Sequence, residues 1–412
     1  MSTAAALASA RDEAYSTPLD SLDMSDPKRF AAGTTLPFFE RMRKEAPVHY
    51  QPNGMFGPFW SITTYKDIMA TDTNHKVFSS AHGITLVEPR SEELKAPMFI
   101  AMDPPKHDDQ RKAVSGIVAP NNLANMESLI RSRTISVIES LPVNQPFDWV
   151  EKVSVNLTTQ MLATLFDFPF EDRHLLPHWS DTATTVPTTP EQWDAREAEL
   201  QKMLKYFVGL WNERVNAPPK SDLISMLAHN PATRNMPPRE YMGNLILLIV
   251  GGNDTTRNSM TGGLKFLNEF PGEYDKLRAN PAVIPNMVSE IIRYQTPLAY
   301  MRRTANEDFE IHGKTIHKGD KLAMWYVSGN RDSDAIPDAD RFLIDRKNVR
   351  SHLAFGFGIH RCVGNRLAEL QLKILWEELV KRFPRIDVVG EPTRVPSSFV
   401  NGYTSMKVVI PG

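Results

Sequence analysis

Apolar residues recur at spacings of three and four around 122–141, 155–168, 191–216, 238–270 and 283–296, and predict long helices there, punctuated by prolines. Before them, residues 25–70 mix Pro, Gly and aromatics with short alternating runs. Val48-His49-Tyr50 and Phe59-Trp60-Ser61-Ile62 predict a hairpin. After 297 the texture turns strand-like at Phe309 to Ile311 and Lys321 to Tyr326, then irregular from Asn330 to Arg350. A last helix is expected from about Cys362 to Phe383, followed by strands near 385–389 and 405–410. The pattern is mainly α with a smaller β-rich part, an α+β chain without internal repeats. Residues 1–25 read as a flexible N-terminal extension and 26–412 as one domain, because no composition break marks a linker. Thr184 to Pro190, with two prolines and four threonines, predicts a loop between two helices and a candidate lid.

Composition narrows the classes. With 412 residues, 41% hydrophobic and 23% charged, the chain can bury a large core, which excludes disorder and mini-proteins. Lys plus Arg number 47 against 49 Asp plus Glu, so no global positive field recruits nucleic acid or anionic membrane. The N-terminus lacks a secretory pattern, and the longest aliphatic run, Leu245 to Val250, is too short to span a bilayer, which takes about 20 residues. A single cysteine, Cys362, forbids an intrachain disulfide and reads as cytoplasmic. Several motifs fail. Gly313-Lys314-Thr315 lacks the earlier glycine of a phosphate loop, no G-x-S-x-G or H-E-x-x-H occurs, and His174 and His178 flank Pro177.

The chemistry gathers around the cysteine. Phe355-Gly356-Phe357-Gly358-Ile359-His360-Arg361-Cys362-Val363-Gly364 leads directly into the last helix. Three glycines allow a tight loop and close backbone approach to something flat or bulky. At a helix mouth, backbone N–H groups and the helix dipole favour a thiolate. Such a thiolate could be a nucleophile, or could ligate a metal such as haem iron. Two further segments stand out. Glu290-Ile291-Ile292-Arg293 places a carboxylate and a guanidinium on one helical face. Leu245-Ile246-Leu247-Leu248-Ile249-Val250 is apolar all round and runs into Gly251-Gly252-Asn253-Asp254-Thr255-Thr256, where the Thr255 hydroxyl can take the Gly251 carbonyl and open a local bulge.

The Phe-x-x-Gly-x-His-x-Cys-x-Gly pattern resembles the haem-binding loop of cytochrome P-450 monooxygenases, and motifs in the expected order extend the resemblance over roughly residues 40–412. The resemblance implies a single P-450 fold with haem b between the central long helix and the Cys-loop and last helix. It makes Cys362 the axial iron ligand and implies haem contacts from Phe355 and Gly364. It makes His107, Arg111, Arg303 and His360 propionate partners, with Arg suited to bidentate carboxylate binding. Asp254 and Thr255 match the acid–alcohol pair that delivers protons to bound dioxygen. Glu290, Arg293 and Arg341 match a buried structural triad. A distal pocket lined by Ile84, Leu86, Val87, Leu247, Val250, Gly251, Leu298, Ala299, Phe399 and Val400 favours an apolar substrate.

The segments 250–259 and 294–299 are similar to the bacterial alkane terminal-hydroxylase branch, which implies terminal hydroxylation of medium-chain alkanes or related aliphatic chains. Terpene and sterol side-chain hydroxylases share parts of them. No flavin or nicotinamide module is visible, so the resemblance implies electrons from a ferredoxin and an NAD(P)H-dependent ferredoxin reductase, docking on a patch that includes Arg111, Lys112 and Arg366. A haem-thiolate peroxygenase, a non-catalytic haem sensor or carrier and a cysteine-nucleophile enzyme are the rival classes.

Overall fold

The computed structural model describes residues 3–412. Its contacts resolve into two compact units, each assembled from separated segments of chain. One holds residues 1–88, 262–362 and 391–406, and the other 89–261, 363–390 and 407–412. The stretch 26–412, expected as one domain, contributes segments to both units. Because the chain passes between them after residues 88, 261, 362, 390 and 406, no stretch of sequence has a linker's composition.

The first unit is built around a five-stranded sheet in the order Val48–Gln51, Phe59–Ile62, Lys321–Met324, Met301–Ala305, Phe78–Ser79. The expected hairpin forms, with Val48 opposite Ile62 and Tyr50 opposite Trp60. Phe59–Ile62 then pairs in parallel with Lys321–Met324, and all four of its residues are buried. The alternation expected of Phe59–Ile62 is therefore incomplete, since a strand covered on both faces need not alternate. Phe38, Phe39, Phe59, Tyr300 and Trp325 form one core cluster of this unit. Val48, Ile62, Phe78, Leu322 and Met324 form another.

The N-terminal segment, expected as an extension, is grouped with the first unit. Thr3–Ser16 is a helix with Ala10 and Ala14 buried. Arg41 donates to the carbonyls of Ala14 and Thr17 at 2.5 and 2.6 Å. Its small apolar residues fit a close helix approach but generate little amphipathic contrast, so the pattern gave no helical signal.

The second unit is mostly helical. Pro120–Glu139, Asn156–Phe166, Pro190–Val215 and Asn365–Arg382 match the periodic stretches to within a few residues. Phe166, Phe168, Trp179 and Phe207 interlock at centroid distances of 5.4 to 6.2 Å, each burial worth about 1.5–3 kcal/mol. Arg131 joins Pro120–Glu139 to the last helix through Glu377 and Glu378 at 2.7 and 2.6 Å. The helix Pro238–Glu269 runs from this unit into the first without interruption. The bulge expected near Gly251 does not open. The loop expected at 184–190 connects Leu175–Thr184 to Pro190–Val215, whose start is fixed by a Thr189–Gln192 capping box. Among the described residues, no helix is long and apolar enough to cross a membrane.

Candidate active site

The Cys-loop lies at the end of the first unit's central segment. The Cys362 N–H donates to the Phe355 carbonyl at 2.8 Å, closing the loop, and the Cys362 side chain is exposed. Phe355 is half-buried, and its ring centroid lies 5.3 Å from that of His352. His360 is buried. The glycines have a more local reason than a flat ligand. Gly356 and Gly358 both have φ +66°. A Cβ on Gly358 would come within 2.9 Å of the Asp72 carbonyl oxygen, at the end of the helix Tyr65–Thr73. Their positive φ and this close approach require glycine. Gly364, by contrast, has nothing within 4 Å of a Cβ.

Elsewhere in the first unit, Glu290 (0% exposed) and Arg293 (1%) form a two-point pair at 2.7 and 2.8 Å. Arg293 also donates to the carbonyls of Asn330, Ala339 and Arg341. The third member is Arg346, whose Nε lies 3.1 and 3.0 Å from the two Glu290 oxygens. This corrects the assignment to Arg341, whose side chain is exposed and which supplies only its carbonyl. The irregular 330–350 chain turns position 346 inward and 341 outward.

On the long helix, the Thr255 hydroxyl donates to the Gly251 carbonyl at 2.9 Å, as its spacing predicts. Asp254 (0% exposed) turns into the second unit. Its Oδ1 accepts from Ser180 and Asn253 at 3.2 and 2.9 Å and pairs with Arg257 at 2.8 Å. Its Oδ2 is buried without a hydrogen-bond partner. Burial pushes the Asp254 carboxyl up, against the downward pull of Arg257. Arg257 is shared with Asp181 at 3.0 Å. Leu247, Val250, Gly251 and Thr255 lie one or two turns apart on a neighbouring stripe and keep some exposure, so that stripe is not closed by the unit's own core.

The remaining candidates divide between the units. In the second, His107 is buried and Arg111 is partly exposed one turn along Lys106–Ser115, with the His107 ring 2.7 Å from Asp108. Burial lowers the His107 pKa. In the first, the pocket candidates do come together. Ala299 N–H donates to Phe399 at 2.8 Å, Leu298 bridges Val400, and Arg302 N–H donates to Ile84. Leu86, Ala299 and Val400 are fully buried there, so they support the wall rather than face a ligand. Ile84, Val87, Leu298 and Phe399 retain exposure.

Comparison with known proteins decides the family. The Cytochrome P450 family model matches residues 119–395. The chain belongs to the cytochrome P450 family. A solved P450, CYP153D17 from Sphingomonas sp. PAMC 26605, is 49% identical with a TM-score of 0.91, covering 95% of this chain and 99% of that one. Linalool 8-monooxygenase of Pseudomonas putida is 34% identical over 94% of this chain and 98% of its own length. A methyl-branched lipid omega-hydroxylase of Mycobacterium bovis is 30% identical over 90% of each.

A P450 monooxygenase carries haem b with its iron bound by a cysteine thiolate. The residues of this P450 fit that group. The one cysteine is exposed on a loop closed by its own backbone. The buried Arg303 guanidinium, 2.6 Å from Asp72, keeps an Nε with no hydrogen-bond partner, suited to a carboxylate. Arg346, Arg257, Ser180 and Asp72 are the residues that motif reading missed. Of these only Arg257, three positions after Asp254, left a signal in the sequence.

Proposed function

We propose that this P450 inserts one oxygen atom of O2 into an unactivated C–H bond of an apolar aliphatic substrate, at or near a chain end. The atoms and charges balance as R–H, O2, two electrons and two protons giving R–OH and H2O. The observation that carries the reading is the long-helix stripe, where apolar Leu247 and Val250 and a side-chain-free Gly251 adjoin the Thr255 hydroxyl. The omega-hydroxylase named among the relatives supports chain-end selectivity, and the linalool 8-monooxygenase favours a terpene alcohol as the second reading. A terminal methyl C–H is stronger than an internal one, so orientation must override intrinsic reactivity.

Haem, when bound, supplies dioxygen activation, with Cys362 as the thiolate ligand because the chain has no other cysteine. Arg303 and His360 in the first unit, and His107 and Arg111 in the second, are the residues that would hold its propionates, and Phe355 and Gly364 would contact it from the Cys-loop segment. Asp254, raised by burial, holds a proton more readily than an exposed carboxylate does, and its unpartnered Oδ2 can pass one on. Thr255 spends its hydrogen on the Gly251 carbonyl, leaving its oxygen free to accept. Electrons come from a ferredoxin and an NAD(P)H-dependent reductase, received on a patch including Lys112 and Arg366, both exposed.

The deciding experiment is the spectrum of the reduced protein with carbon monoxide, followed by spin-state titration and product analysis with alkanes, fatty acids and terpene alcohols. A red-shifted Soret band lost in Cys362→Ala and a chain-end alcohol are expected. Absence of the band, its survival in Cys362→Ala, or equal turnover with peroxide alone overturns the reading.

A further inference from the structure

Asp72 lies at the end of Tyr65–Thr73, far in sequence from every motif, and is 1% exposed. Its Oδ1 accepts from Arg303 at 2.6 Å. Its Oδ2 accepts from the Tyr326 hydroxyl and from the Phe357 backbone N–H, both at 2.8 Å. Phe357 lies in the middle of the Cys-loop, between the two positive-φ glycines, and a Cβ on Gly356 would come within 3.3 Å of the same Oδ2. One buried carboxylate therefore ties together a sheet strand, a short helix and the loop that carries the thiol. Burying a charge is costly, and here it is offset by three partners on three elements. Packing alone would be served by an apolar residue.

We propose that Asp72 is a positioning residue for the thiolate: by gripping the Phe357 amide and Arg303 with one carboxylate it holds the Cys-loop, and with it Cys362, in the ligating geometry. Burial, reinforced by the Asp72 charge, pushes the Tyr326 phenol up, so Tyr326 stays a donor to the bracket. Arg303 is held in one orientation by Asp72 and by the Arg302 carbonyl, which takes its other amino group at 2.9 Å. The inference rests on Cys362 being the iron ligand. Failure of that reading is separately visible, because the wild-type protein would then lack the red-shifted band.

The test compares haem-loaded wild type, Asp72→Asn and Tyr326→Phe. Asp72→Asn keeps the shape and one acceptor oxygen but removes the charge. The expected result is loss of the red-shifted Soret band of the reduced carbon monoxide complex about tenfold faster in mild denaturant, the effect of one lost charge-assisted hydrogen bond. The reduction potential should shift positive, because a buried negative charge bonded to the Cys-loop has gone. Global unfolding followed by far-ultraviolet circular dichroism should not accelerate in proportion. A purely structural Asp72 would move band loss and unfolding together, and that result overturns the proposal. If Asp72→Asn yields no haem-loaded protein, Tyr326→Phe decides. Band loss accelerated by a few-fold is expected, and an unchanged lifetime and potential overturn the proposal.

Discussion

At the residue scale, the buried ion pairs separate local from distant information. Glu290 and Arg293 are three apart on one helix, so their pairing follows from helix geometry alone. Which arginine completes the group depends on how an irregular segment folds, and an Asp-Arg-Phe match selects Arg341 where the structure selects Arg346. The two make opposite predictions. Arg346→Ala removes the partner of a fully buried carboxylate and should cost about 3–5 kcal/mol, whereas Arg341→Ala should fall within about 0.5 kcal/mol of wild type. Urea unfolding of the two haem-loaded variants measures both, and equal costs would contradict the pairing seen here.

Elements carry their own constraints. The long helix continues through Gly251-Gly252 because each residue still makes its backbone bond. Its composition costs stability, since glycine in a helix interior is about 1 kcal/mol worse than alanine. At Gly252 the Leu162 side chain would lie 2.6 Å from a Cβ, which gives that glycine a packing reason. At Gly251 nothing lies within 4 Å, so packing in the chain does not demand glycine. Gly251→Ala should therefore raise unfolding stability by about 1 kcal/mol while weakening binding of the best substrate by up to about tenfold. Calorimetry and spin-state titration on the same preparation check the two halves. A gain in stability with unchanged binding and unchanged regioselectivity would show that the stripe does not face the substrate.

At the scale of the whole molecule, acid sensitivity has a nameable contributor. His352 is buried in the first unit, its Nδ1 accepting from Ala354 N–H at 3.2 Å. Burial first, then the charges of Arg293 and Arg361, push its pKa from 6.5 to about 3. The folded state keeps His352 neutral where the unfolded chain protonates it. Its contribution is thus fully present above pH 6.5 and is lost as the pH falls toward 3, at up to about 1.4 kcal/mol per pH unit. His352→Asn retains an acceptor but does not titrate, so its stability between pH 6 and pH 4 should decline less steeply than that of wild type. Parallel declines would exclude the histidine as a source.

What the sequence by itself determined is what neighbouring residues decide among themselves. The Cys-loop, the Glu290–Arg293 pair, the Thr255 bond to Gly251 and the periodic helices all close within a few residues, at low entropic cost, and each leaves a spacing that can be read. Only the tertiary structure decided the rest. Asp72 meets its three partners across more than 200 residues of chain, Arg346 is chosen by an irregular path, and among the described residues of the Thr3–Ser16 helix only Ala10 and Ala14 are buried, by packing that its own pattern does not announce. A chain that passes five times between two units scatters the parts of each along its length. Contacts made by such long loop closures depend on the whole core forming, and no local periodicity encodes them.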